Sequence, residues 1–401
     1  MRKPFLQSSC LVVALGFVFA CSSSLATFIV PQPPTLEAKS YVLMDAHSKK
    51  VLVEFNSREK LAPASLTKIM TSYVAAAEVD SGRLKIDEMV PVSVTAWETP
   101  GSRMFIREGT TVSVSDLLRG IIIQSGNDAS VALAEYISGS DDEFAKLMNE
   151  YGEHLGLEDT VFKNSTGLPD VDHLSTAYDN ALLTRALILD YPEHYEMYAE
   201  RDFTYNDIRQ PNRNRLLTLD DTVDGVKTGY TAEAGYCLVA SAMRDGMRLI
   251  SVVMGTESNE VRIRETRKLF NYGFRNFEFK NLVGPEKIFE LDVDNGKVKS
   301  VEARLRTAVK YLVPRGDSGA KMSVRPVEML KAPVSSGDVI GTLVVSIGGE
   351  EIATENLYAQ ADVEKIGFFQ GIMEAIADFF SSKPKPQDSS ETDPEEDVDE
   401  S

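Results

Sequence analysis

Cysteine is scarce in this chain: three in 401 residues, two of them (Cys10 and Cys21) within the first 26. If those residues are removed on maturation, Cys237 alone remains, so no intramolecular disulfide is expected and the redox state of the compartment is left open. Tyr236-Cys237-Leu238-Val239 has the pattern of a strand, which makes Cys237 a buried, inert thiol. Histidine is nearly as sparse. His47, His154, His173 and His194 are scattered without ligand spacing, so no metal or other cofactor is expected. Positive charge is in deficit, 42 Lys and Arg against 61 Asp and Glu, and a net charge of −19 argues against nucleic acid as a partner. Long apolar runs are missing too. The stretch Leu11 to Ala20 is too short to be an ordinary membrane span. With Arg2 and Lys3 before it and Ser24-Leu25-Ala26 after it, it reads as an export signal over residues 1–26. Val18-Phe19-Ala20-Cys21 offers an alternative, a lipoprotein box with Cys21 acylated, although Phe19 fits it poorly.

What the chain does contain is organised around Pro63-Ala64-Ser65-Leu66-Thr67-Lys68-Ile69-Met70-Thr71. Proline is tolerated in the first turn of a helix, where its missing N–H would find no intrahelical partner. Ser65 and Lys68, three apart, then share one helix face. A serine hydroxyl needs a base beside it to act as a nucleophile, and a lysine serves when burial or neighbouring cations depress its pKa. Alone, the pattern S-x-x-K equally describes a helix cap with a solvated lysine. Two further stretches change the balance: Ser125-Gly126-Asn127 after the apolar Leu117 to Ile123, and Lys227-Thr228-Gly229 opening a strand-like segment. S-x-x-K, S-D-N and K-T-G together mark penicillin-interacting serine enzymes, and all three occur here in that order, with S-G-N for S-D-N. Lys68, Ser125 and Lys227 around one serine supply a proton route without histidine, and Lys227 is a cation expected to lower the pKa of Lys68.

The apolar spacing places these motifs on an α+β framework. Tyr41 to Met44 and Val51 to Phe55 read as a hairpin, followed by the Ser65 helix. Ala129 to Ile137, Glu143 to Leu155 and Tyr178 to Leu189 read as helices. Strands return at Val223 to Thr228, Gly235 to Met243 and Met247 to Met254, with Asp245-Gly246 as a tight turn, and Val261 to Phe274 is helical. Strands at both ends with helices between them predict an antiparallel sheet beside a helical cluster over residues 27–280. Short strands broken by Asp294-Asn295-Gly296, Arg315-Gly316-Asp317 and Ser336-Gly337-Asp338 predict a small all-β domain over 281–363. In residues 364–382, Ile366, Phe369, Ile372, Met373, Ile376, Phe379 and Phe380 fall on one helical stripe, an amphipathic helix suited to a membrane interface or to packing on a partner. Residues 383–401 carry two lysines against eight acids, a net of −6, with three prolines and no aromatic residue, and are expected to be disordered.

On these motifs the chain resembles the low-molecular-mass penicillin-binding proteins, serine-type D-alanyl-D-alanine carboxypeptidases of the bacterial envelope. The resemblance runs from about Ala38 to Phe380 and rests on Ser65-Leu66-Thr67-Lys68, Ser125-Gly126-Asn127-Asp128-Ala129, Asn164-Ser165-Thr166-Gly167-Leu168 and Asp224-Gly225-Val226-Lys227-Thr228-Gly229. It implies a serine β-lactamase/penicillin-binding transpeptidase-like domain, a β-rich second domain and a C-terminal helix resting on the membrane. It also implies that Ser65 is acylated, that Lys68 (or, as the alternative base, Lys227) accepts its proton, that Ser125 relays a proton to the leaving amine, that Asn127 holds the substrate amide and that Lys227 completes the electrostatics. Thr228, Gly229 and Tyr230 would line the substrate site, with Arg213 and Arg262 as candidates for the terminal carboxylate. Either arginine could instead be a surface salt-bridge partner. Peptidoglycan stem peptides and β-lactam antibiotics are the implied ligands, in the periplasm on the outer face of the cytoplasmic membrane.

Tyr230 stands where some resembling enzymes carry histidine. An oxyanion hole of backbone N–H groups at Ser65 and Tyr230 tolerates any side chain there except proline, so Tyr230 bears on rate rather than reaction class. A class A β-lactamase is disfavoured because no Glu-x-x-Leu-Asn stretch lies between Asn127 and Lys227 to activate a deacylating water. An inactive scaffold docking partners through residues 281–382 is disfavoured by the complete residue set.

Overall fold

The computed structural model describes residues 30–316, 320–327, 329–347 and 349–367. The expected signal peptide, most of the expected amphipathic helix and the acidic tail lie outside them.

Strand β1 (Ser40–Asp45) and strand β2 (Val51–Phe55) form the first hairpin. The chain then crosses a helical cluster: α1 (Lys68–Asp80), α2 (Asn127–Ser138), α3 (Asp141–Leu155) and α4 (Ala177–Asp190). Their ends follow local chemistry. Ser140 and Thr176 each accept a backbone N–H three residues on and so cap α3 and α4, while Gly139 and Gly156 take positive φ just past the ends of α2 and α3. The chain returns in β3 (Val223–Thr231), β4 (Gly235–Arg244) and β5 (Met247–Thr256), then α5 (Asn259–Asn276), capped by Ser258. The five strands make one antiparallel sheet in the order β2–β1–β5–β4–β3.

This sheet is buried on both faces, and its period-2 alternation sorts the side chains. Leu238, Ala240, Leu249 and Val253 pack with Leu269, Phe270 and Phe274 of α5. Cys237, Val239, Ile250, Val252 and Met254 face the other way, into a core that contains Ile69, Met70 and Val74 of α1 and Leu183 and Leu187 of α4. Cys237 is fully buried, as its strand pattern indicated.

The helix expected through Leu117 to Ile123 is α-helical only over Val114–Arg119 and widens into a π-turn at Gly120–Gln124. Such a turn commonly marks a functional position. Here it ends with Ser125 in the left-handed region, at φ 66°.

The second unit is all β. Strand β6 (Phe277–Val283) follows α5 directly, so the boundary expected between residues 280 and 281 falls inside a strand. No linker separates helix from strand, and composition therefore does not change there. A five-stranded antiparallel sheet follows: β7 (Phe289–Asp292), β8 (Ser300–Arg304), β10 (Ala320–Pro326), β11 (Val339–Ile347) and β12 (Glu350–Ala359), in the order β7–β8–β12–β11–β10. Strand β9 (Val309–Pro314) pairs instead with β6.

The N-terminal edge of the expected 364–382 helix is corrected. Glu364, Lys365 and Ile366 are extended along the β domain, through Lys297 N–H to Glu364 O (2.8 Å) and Ile366 N–H to Asn295 O (2.8 Å).

Candidate active site

Segments remote in sequence meet beside β3, the end strand of the sheet. Ser65, Ser125, Arg213, Thr228, Gly229, Tyr230 and Arg262 line one cleft of about 670 Å³. Lys68, Asn127 and Lys227 are buried at its floor.

Ser65 lies in a 3-10 turn, Ala64–Thr67, that runs straight into α1. One turn on, the Lys68 amine reaches the Ser65 hydroxyl (3.2 Å), Asn127 Oδ1 (2.6 Å) and the Thr166 carbonyl (2.5 Å). Asn127 Oδ1 and the carbonyl can only accept, so a neutral amine spends both N–H bonds on them and turns its lone pair toward the Ser65 O–H. The environment favours that neutral form: the Lys68 pKa falls to about 7, first through burial and then through the Arg213 guanidinium. Arg213 thus joins Lys227, the cation to which the sequence pointed and whose repulsion with Lys68 is mutual. Lys227 is itself held well below its ordinary value, by burial first and Lys68 second. Its amine donates to Ser125 Oγ (2.9 Å) and the Thr228 carbonyl (3.1 Å). Ser125 accepts from Lys227 and keeps its own O–H to give.

The two arginines differ. Arg262 is buried on α5, and its guanidinium is largely committed: Nη1 donates to the Gly229 and Cys237 carbonyls (2.9 and 3.0 Å), Nε and Nη2 to Asn259 Oδ1. Arg213 donates only Nε–H, to the Gln124 carbonyl (2.8 Å), and its two terminal nitrogens make no hydrogen bond among the described residues. Arg213 thus presents a fork suited to a carboxylate. Tyr230 stands at the rim, more than half exposed, its ring tilted against that of Tyr236 with centroids 4.3 Å apart.

Three further contributors were given no role of their own by the sequence. The Thr166 carbonyl is a backbone group. It is held by the Asn164 side chain, whose Oδ1 accepts from the Thr166 and Gly167 N–H groups (3.1 and 2.7 Å). Asp128, buried behind Asn127, accepts the N–H groups of Met104, Phe105 and Ile106 (2.9, 2.9 and 3.2 Å) and anchors the loop whose Pro100 carbonyl accepts from Asn127 Nδ2. Asn214 donates to the Gly225 carbonyl (2.8 Å) at the start of β3. Asp128 was findable, being a charged residue in the buried first turn of its helix and part of the Ser125-Gly126-Asn127-Asp128-Ala129 motif.

Comparison with known proteins gives a consistent result. Residues 27–258 match the family model described as D-alanyl-D-alanine carboxypeptidase, and residues 277–365 match the C-terminal domain of penicillin-binding protein 5. The chain is 44% identical over 373 residues to the D-alanyl-D-alanine carboxypeptidase DacC of Escherichia coli K12, covering 90% of this chain and 93% of that one. Crystal structures of penicillin-binding protein 5 from Haemophilus influenzae superpose with a TM-score of 0.74 at 42% identity, over 84% of this chain and 100% of that one. Penicillin-binding protein D2 from Listeria monocytogenes in its ampicillin-bound form superposes with a TM-score of 0.56 at 32% identity, over 60% of this chain and 98% of that one.

Proposed function

The chain belongs to the D-alanyl-D-alanine carboxypeptidase family, and from that premise we propose that it removes the terminal D-alanine of peptidoglycan pentapeptides through an acyl-enzyme on Ser65. The observation that carries the assignment is the buried Lys68 amine 3.2 Å from the Ser65 hydroxyl, with burial lowering its pKa to about 7. Lys68 takes the Ser65 proton as Oγ attacks the carbonyl carbon of the penultimate D-alanine. The oxyanion is received by the backbone N–H groups of Ser65 and Tyr230. As the C–N bond breaks, Ser125 gives its proton to the leaving amine and is resupplied through Lys227. Asn127 holds the substrate amide, and Arg213 and Thr228 hold the terminal carboxylate. Arg262 contributes charge and fixes the Gly229 strand segment. The proton that Lys68 took from Ser65 makes good the one Lys227 and Ser125 gave up, so Lys68 is neutral again; it then takes a proton from a water that attacks the ester and returns it to Ser65 Oγ as the acyl group leaves.

β-Lactam antibiotics acylate the same serine in this reading, in line with the ampicillin-bound Listeria relative. The test is D-alanine release from a diacetyl-Lys-D-Ala-D-Ala peptide by the purified soluble form, with Ser65→Ala alongside. Release by the native chain alone supports the assignment. Release by both, or by neither in a protein that also fails to bind penicillin, defeats it.

The proposal extends to location. An exported chain, processed after Ala26 and held at the outer face of the cytoplasmic membrane by the apolar stripe within 364–382, fits the composition of both ends. Among the described residues no helix is long and apolar enough to cross a membrane.

A further inference from the structure

One buried imidazole takes no part in the chemistry above, yet it sits directly behind the nucleophile. His173 Nε2 lies 2.9 Å from Thr67 Oγ1, and Thr67 Oγ1 lies 2.8 Å from the Ala64 carbonyl, to which it donates. A hydroxyl that gives its only proton to a carbonyl can receive one from His173, so Nε2 carries the hydrogen. The other ring nitrogen agrees, since Nδ1 accepts the Lys163 N–H (3.4 Å). Phe162 packs edge-on against the ring at 5.9 Å, and burial holds the imidazole neutral, lowering its pKa to about 4.

The residue at the end of this chain of bonds is strained. Ala64 has φ 49°, a left-handed conformation that costs a residue with a Cβ about 1–2 kcal/mol. Its carbonyl belongs to the peptide unit that contributes the Ser65 N–H. In a trans peptide the carbonyl and the following N–H point in opposite directions. A bond that draws the Ala64 carbonyl inward therefore turns the Ser65 N–H outward, toward the cleft. It also polarises the amide and strengthens that N–H as a donor.

We infer that His173 is a positioning residue for the oxyanion hole, acting through Thr67 to fix the Ala64–Ser65 peptide plane. The inference rests on the Ser65 acyl-enzyme reading and adds to it a residue 108 positions from the nucleophile. Neither His173 nor the Thr67 hydroxyl touches the substrate, so their loss should slow acylation and leave ground-state binding alone.

The test uses the full chain with His173→Leu, Thr67→Val, the double variant and His173→Gln. Three quantities are read: the second-order rate of acylation by a fluorescent penicillin, KM for the D-Ala-D-Ala peptide, and Tm. Acylation should fall about ten- to hundredfold in each single variant, a part of what deleting an oxyanion donor costs. KM should stay within about twofold. The double variant should be no slower than the slower single, because both interrupt one path. His173→Gln, which can still donate to Thr67, should recover most of the rate. Independent, multiplying losses would overturn the inference, as would a folded His173→Leu acylated within about twofold of native. Should His173→Leu not fold, Thr67→Val decides by the same criteria, since it exchanges a hydroxyl for a methyl of like size. A native chain that no penicillin acylates would bring down the serine-enzyme reading and this inference with it. A reactive native chain with indifferent variants would bring down this inference alone.

Discussion

At the level of single residues, the proposed mechanism turns on the Lys68 amine, which burial weakens as a base until it can be free of its proton near neutral pH. Lys68 with a pKa of about 7 must lose its proton before it can take one from Ser65. The acylation rate should therefore rise with pH through about 7 and level off above it, measured as kcat/KM or as penicillin acylation. Lys68→Arg, which keeps its charge, should lose that limb together with about 10²–10⁴ of the rate. Stability follows the same linkage. Between about 7 and 10.5 the unfolded chain binds a proton that folded Lys68 does not, so stability from this group rises with pH across that window. Below 7 the full cost of burying the charged amine is present. The sequence marked Ser65, Lys68, Ser125, Asn127 and Lys227 through side chains at fixed spacings, and the fold brings those five together. The Thr166 carbonyl carried no such mark, since any residue could supply it.

At the level of elements, the site depends on how closely the 164–168 loop approaches the 3-10 turn bearing Ser65. Gly167 has φ 79°, and a Cβ there would fall 1.8 Å from the Ala64 carbonyl oxygen. Gly167→Ala should destabilise the fold by more than the roughly 1–2 kcal/mol of backbone strain, and should also slow acylation by withdrawing Thr166 from Lys68. Gly139→Ala is the control. It has φ 85° but nothing within 4 Å of its added methyl, so denaturant unfolding should show the strain cost without loss of rate. The helices and strands were legible where periodicity was clean: α3, α4, α5 and the β4–β5 hairpin at Asp245-Gly246 lie close to their expected spans. The π-turn before Ser125 was not, because it and an ordinary helix bury the same Ile121, Ile122 and Ile123. The start of the second unit was hidden for the related reason that α5 passes into β6 without a break.

At the level of the whole molecule, the two units are stitched where α5 ends. Arg315 donates its backbone N–H to the Asn276 carbonyl (2.9 Å) and its guanidinium to the Phe274 carbonyl. Groups left open at a helix C-terminus are thereby satisfied from the neighbouring unit. Far from that joint, residues 364–366 complete the β domain, so a truncation that tests anchoring should spare them. Deleting 368–401 should move the protein from the membrane to the soluble fraction in a fractionation assay with peptide turnover unchanged. Continued sedimentation would point instead to Cys21 or an unprocessed leader, and Cys21→Ala would separate those two. The sheet itself ends at β3, whose far side is met by the Ser65 turn, with Gly229 close against the Pro63 carbonyl. An unpaired strand at the margin of a sheet is ordinarily a colloidal hazard, a template on which another chain can zip up and precipitate. Here the Ser65 turn, packed against that margin at Gly229, curtails the hazard.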